Sequence, residues 1–172
     1  REALQLITRI EKARKEADRA KANGQGESEQ VAVIEPAGEE TMEIWGNDGG
    51  SPLSFSRRSD AFIERGLAAI HAMAAMDNSF YWLGNDRLFY TLTGYQPTVI
   101  SDNATAQAVQ EMDTVSDAFS FTTDYGKHKL FHTVFPTEGR TFVYDSATQR
   151  WHERESFGRD RWRANCHAFA YG

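Results

Sequence analysis

The side chains able to carry chemistry are few and scattered. Five histidines, His71, His128, His132, His152 and His167, supply imidazole. His128 and His132 stand four apart, a spacing that puts two metal ligands on one face of a helix. The segment around them reads as a strand, where four residues span roughly 13 Å, too far for one ion. They are expected as partly exposed strand histidines. The lone Cys166 excludes an internal disulfide and a cysteine-based zinc cluster. Asp145, Glu153 and Glu155 lie near aromatic residues, the composition a glycosidase uses, but that chemistry needs two acids about 5–9 Å apart and nothing in the spacing fixes such a pair. Gly46-Asn47-Asp48-Gly49-Gly50-Ser51 has the composition of an anion cradle, yet it follows a strand without opening a helix and reads as a hairpin loop. Asn103-Ala104-Thr105 matches a glycosylation sequon but falls in a predicted helix. No nucleophile elbow, phosphate loop or dinucleotide fingerprint appears. The expectation is no catalytic residue, no metal and no cofactor.

One stretch stands apart. Arg159, Arg161 and Arg163 alternate around Trp162, shortly after Arg150 and Arg154. In an extended segment that alternation places the three arginines on one face, suited to a partner's carboxylates or to phosphates. The 19 basic residues are outnumbered by 25 acidic ones, a net charge of -6, which disfavours nonspecific wrapping of nucleic acid and points to a protein partner. Arg159, Arg161, Trp162 and Arg163 are therefore the candidate partner interface.

The elements that position these residues follow from periodicity. Within 172 residues there is room for one domain, or a small domain with an added segment. Eleven Phe, six Tyr and four Trp supply a core, and no apolar run is long enough to span a membrane. Residues 1–24 read as an amphipathic helix: Ala3, Leu6, Ile10, Ala13, Ala17 and Ala20 recur every three or four positions, the seam of one helix lying on another. Such a helix lies on its own domain or bundles between chains. Residues 25–30 read as linker. From Val31 to Gly172 the period falls towards two. Val31 to Ser56 gives three short strands. Asp60 to Ala75 is ambiguous: Asp60 is placed to cap a short helix through Arg65, with Gly66 after it, while Ala68 to Met76 fits a buried strand of small residues.

Four strands with tight turns then run from His71 to Ile100. A helix starts at Ser101-Asp102, with Ala104, Ala108, Val109 and Met112 on its inner side. Four more strands run from Ala118 to Arg154, and Asn165 to Tyr171 opens another. The fold class expected is mainly β: antiparallel four-stranded meanders resembling β-propeller blades, with an N-terminal amphipathic helix. This number of blades closes no ring, so the expectation is a partial propeller belonging to a longer chain.

Glu43-Ile44-Trp45, Phe62-Ile63-Glu64-Arg65-Gly66 and Asp77-Asn78 followed by Trp82-Leu83-Gly84 carry a resemblance to the packaged-DNA stabilisation proteins of short-tailed phages. Gly94-Tyr95-Gln96-Pro97 with Ile100-Ser101 continues it, as do Tyr144-Asp145 with Trp151-His152-Glu153-Arg154. The likeness runs from about Thr41 to Gly172 and leaves Arg1 to Lys21 outside. It implies a virion protein without enzymatic activity, forming the tail hub or nozzle as a hexameric ring. The implied partners are the adaptor, the tailspikes and the plug or needle, with DNA at most in the ring lumen. No membrane is implied, and assembly takes place in the host cytoplasm.

Two rival readings belong to other classes. One is a non-catalytic glycan-binding β-propeller module using exposed aromatics such as Trp45, Trp82 and Trp151; the other is a regulatory oligomerisation protein acting through the alanine-seam helix.

Overall fold

The computed structural model describes residues 32–36, 40–47 and 55–165. The expected N-terminal helix, the linker, the loop at 48–51, the last strand with Cys166 and His167 all lie outside the described residues. The described chain forms two compact units, one built on residues 32–35, 43–47 and 55–60, the other on residues 36, 40–42 and 61–165.

The strands of the two four-stranded sheets pair antiparallel. The first sheet has the order β1-β2-β3, from Ala32–Pro36, Met42–Asn47 and Phe55–Ile63. Met42, Ile44 and Ile63 are fully buried, and Arg57 Nη2 pairs with Glu43 Oε1 at 3.1 Å. The sequence pattern places the third strand at Leu53–Ser56 and leaves open a helix capped by Asp60. Instead β3 runs nine residues, to Ile63, through the polar string Ser-Arg-Arg-Ser-Asp. Such a string shows no apolar alternation, so periodicity alone misses it.

The second sheet is β4 (Met73–Met76), β5 (Ser79–Leu83), β6 (Phe89–Thr93) and β7 (Gln96–Val99), in that order. The third is β8 (Phe119–Tyr125), β9 (His128–Phe135), β10 (Arg140–Asp145) and β11 (Arg150–Glu153), again in chain order. These are the two four-stranded blades the sequence predicts. Turn chemistry sets their registers. Asp77 and Asn78 sit at φ 56 and 57, as both centres of a type I′ hairpin must. The β6–β7 and β8–β9 hairpins each start their two-residue loop with a glycine at positive φ, Gly94 and Gly126.

A parallel bridge between His71 and Phe119 starts the two leading strands in the same direction. The hairpin tips β4–β5, β6–β7, β8–β9 and β10–β11 therefore fall at one end of the second and third sheets. Thr122 Oγ1 donates to Ala75 O at 3.1 Å, and Lys129 pairs with Asp77, tying two of these tips together.

The core lies between these two sheets. Tyr81 packs its ring against Phe131 at 5.6 Å, and Phe89 meets Phe131 at 6.2 Å and Trp151 at 4.5 Å. Leu83, Phe135, Phe142 and Tyr144 complete the cluster. Joining the sheets is α1, Asn103–Gln110, capped by Asp102, whose carboxylate accepts Thr105 N–H at 2.7 Å. Its inner face is Thr105 and Val109, followed by Met112, while Ala104 is exposed. The sequence favours Ala104 on hydropathy, but Thr105 lies one turn before Val109 and shares its face. The far end of α1 is closed by Arg87, whose Nη1 donates to Gln110 O at 3.1 Å and Met112 O at 2.7 Å.

Candidate partner interface

The arginine-rich segment follows β11 and is not a strand. Arg159 N–H donates to Ser156 O at 2.9 Å and Ser156 N–H to Arg161 O at 3.3 Å, so the chain reverses across 156–161. Gly158 sits at φ 69 within the reversal, and Phe157 stands fully exposed at its tip. Arg163 N–H donates to Ser156 Oγ at 3.1 Å and closes the turn from the other side. Alternation holds only in extended chain, so the three arginines do not share a face in the way the sequence suggests.

Their environments differ accordingly. Arg161 is half-buried, with Nη1 donating to Trp162 O at 3.2 Å and Asn165 Oδ1 at 3.3 Å. Arg159 and Arg163 are exposed, and neither meets a carboxylate among the described residues. Trp162 turns inward. Its N–H donates to Thr141 Oγ1 on β10 at 3.2 Å, and its ring lies 4.9 Å from His132 and 5.8 Å from Phe121. The Arg154 guanidinium sits 5.0 Å from the indole centroid, a cation–π contact. The structure thus brings Trp162 and Arg161 together as internal supports and leaves Arg159 and Arg163 facing solvent. Arg154 and His132 complete the support. Sequence reading does not assign Arg154 this role, and one signal for it is the Trp162 ring eight residues on.

The histidines fall otherwise than expected. His128 is exposed, but His132 is fully buried, stacked on Phe121 at 4.8 Å, with Nε2 within 2.8 Å of Thr123 Oγ1. Burial follows because β9, an inner strand, is covered on both faces from Leu130 to Phe135, so strand alternation exposes neither. His128 Nδ1 is 2.7 Å from Asp145 Oδ2.

Asp145 also accepts Ala147 N–H at 3.0 Å and Thr148 Oγ1 at 2.9 Å. Burial pushes this carboxyl up, but His128, Thr148 and the Ala147 amide together outweigh it and hold it below the usual carboxylate range. Glu153 pairs with Arg140, and Glu155 is exposed. Asp145 is opposite Arg150 and Glu153 is opposite Phe142, so the two acids project to opposite faces of the sheet. They do not form a glycosidase pair. No group of three or more histidine, cysteine or acidic residues is placed to hold a metal among the described residues.

Trp82 and Trp151 are committed to packing. Trp82 is fully buried and stacks on Tyr90 at 5.4 Å. Trp151 donates from Nε1 to Ile100 O at 2.7 Å, and Trp45 is half-buried. A second polar cluster sits beneath Trp82. Tyr90 O–H donates to Asp86 Oδ2 at 2.5 Å, and Arg65 Nε donates to Tyr90 Oη at 3.2 Å. Burial and the bond to Asp86 raise the Tyr90 phenol above its ordinary range.

The described residues thus present two packed antiparallel four-stranded sheets and a braced arginine turn. The chain matches, over residues 7–172, the phage stabilisation family described as "Bacteriophage P22 Gp10, beta-propeller", and it belongs to that family. It is accordingly a phage structural protein of the packaged-DNA stabilisation kind, a component of the virion that assembles with other phage proteins. The match begins at residue 7, so the family pattern reaches into the segment that the sequence resemblance leaves outside. No curated protein matched the chain.

Proposed function

We propose that the protein is part of the tail hub or nozzle, where it helps retain the packaged genome and links the portal-adaptor to distal tail parts. It works as a ring, hexameric in this reading, in contact with adaptor, tailspike and plug or needle proteins, and DNA passes only through the lumen. Arg159, Arg161, Trp162 and Arg163 form one of its partner-facing regions. The observation that carries this is the pair of exposed guanidiniums, Arg159 and Arg163, held on a braced turn without carboxylate partners among the described residues. The glycan-binding alternative needs exposed aromatic platforms, and Trp82 and Trp151 are instead packed between strands. The oligomerisation reading rests on the alanine-seam helix, outside the described residues.

Light scattering on a sizing column at two protein concentrations tests the ring. A discrete oligomer that survives dilution supports it, and a monomer at both concentrations removes it. Replacing Arg159, Arg161 and Arg163 together by alanine is expected to weaken assembly with tail partners while thermal unfolding stays within about 1 kcal/mol of the parent. Unchanged assembly in that variant sinks the residue assignment alone.

A further inference from the structure

Among the described residues of this acid-rich chain, the cations without a carboxylate partner are concentrated in one place. Arg57, Arg65, Lys129 and Arg140 each pair with a carboxylate. Arg87 is engaged by the carbonyls at the end of α1. Arg150, Arg154, Arg159, Arg161 and Arg163 meet no carboxylate among the described residues; outside this stretch Lys127 is in the same position. With 25 acids against 19 bases in the chain, carboxylates were not scarce.

The second observation is how firmly the stretch is held. Trp162 is tied by its N–H to Thr141 Oγ1, seated on His132 and Phe121, and covered by Arg154. Arg161 braces the loop from inside through Trp162 O and Asn165 Oδ1. Surface arginines ordinarily lose rotamer freedom when they bind, and a scaffold that fixes their backbone beforehand reduces the part of that cost that falls on the loop.

Resting on the reading that the arginines face a partner, we infer that residues 156–165 are a preformed dock for a carboxylate-rich protein surface, with Trp162 as its positioning residue and not a contact residue. The indole is occupied by His132, Phe121 and Arg154, so its part is to aim Arg159 and Arg163. A protein partner fits better than a polyphosphate. Glu155 and Asp160 are exposed among the arginines, and the net charge of -6 repels nucleic acid at range. Guanidiniums meet carboxylates in fork geometry, so mixed-sign rims suit protein contacts.

The test uses the full chain with two probes, poly-L-glutamate and a duplex DNA of about 20 base pairs, at about 50 and 200 mM salt. Poly-L-glutamate is expected to bind more tightly than the duplex, and R159Q/R163Q to weaken it about tenfold. W162A weakens it by a similar factor although every arginine remains, and W162F restores most of it. Thermal midpoints are read alongside. If W162A fails to fold, T141V, which removes only the hydroxyl that accepts the Trp162 N–H, is expected to weaken binding about threefold.

Each other outcome overturns something definite. Binding unchanged in R159Q/R163Q overturns the partner-facing reading and this inference with it. Loss in R159Q/R163Q with no change in W162A, or in T141V where W162A does not fold, overturns the positioning role and leaves the partner-facing reading standing. Tighter binding of the duplex overturns the partner class, and binding of neither probe overturns the dock.

Discussion

The sheets β4–β7 and β8–β11 share strand order and the placement of their hairpin tips, yet different chemistry holds each. The first has short strands and buries aromatic and aliphatic groups: Trp82 on Tyr90, with Tyr81, Leu83 and Phe89 facing the shared core. Its charged groups, Arg65 and Asp86, stay partly exposed at one end. The second buries His132, Thr133, Thr141 and Asp145, and each has a partner: Thr123, Ser120, the Trp162 N–H and the His128–Thr148 pair. Buried polar groups are tolerated only when satisfied, and once satisfied they fix one arrangement among the many that apolar packing permits. The same topology is thus specified by shape in one sheet and by hydrogen bonding in the other.

The comparison breaks first at the element both sheets share. Phe131→Ala opens a cavity between Tyr81 and Phe89 and is expected to cost about 3–5 kcal/mol in urea unfolding, with a single transition. A loss under about 1 kcal/mol, or two separate transitions, would mean that the sheets are not one cooperative unit.

Next comes Asp145→Asn, which should cost about 1.5–3 kcal/mol through weakened bonds to His128, Ala147 and Thr148. It should also alter the acid limb of the stability curve. Asp145 is depressed in the folded state, so its contribution is complete above about pH 5 and is lost as pH falls below about 4. His152 is lowered by burial and by Arg154, so it loses stability earlier, as pH falls from about 6.5. Urea unfolding measured across pH should therefore show stability falling in two stages. The asparagine variant should lack the lower one, and an unchanged profile would remove Asp145 from the account.

Gly84→Ala probes the shape-specified sheet. An added Cβ lies 2.7 Å from both Asp86 Oδ1 and Tyr90 Cε2, and opening that space is expected to cost about 1–3 kcal/mol with no change in the acid limb. A shift of the acid limb in this variant would blur the distinction between the sheets. The smallest effect is Asp102→Ala, about 1 kcal/mol, read as a fall in thermal midpoint, from loss of the cap on α1. No change would show that the Arg87 clamp alone suffices to hold the helix.

Both four-stranded sheets were legible in the sequence to within two residues at either end, because their turns announce themselves. Gly94, Gly126 and the Asp77-Asn78 pair mark register as firmly as any apolar alternation. What escaped was polar residues within strands. The pairing of the polar run in β3 and the burial of His132 depend on neighbours distant in sequence, whereas Arg161 is braced locally by Trp162 O and Asn165 Oδ1. The arginine stretch was visible as composition, but its turn was not: Gly158 and the Ser156 bonds end the extended geometry on which alternation relies. Trp162 was visible as an interface residue, and its half-burial against His132 is a tertiary contact that the sequence does not show.

The connection through α1 has a mechanical consequence. It is pinned at four points: Asp102 at its start, Arg87 on its closing carbonyls, Gln110 on Asp86 O, and Trp151 on the carbonyl of Ile100. A tensile load entering through β7 meets these bonds together before any slack in the connector can pay out. The joint between the two sheets therefore behaves as a strut and not as a tether, and strain arriving at one sheet passes to the next with little give.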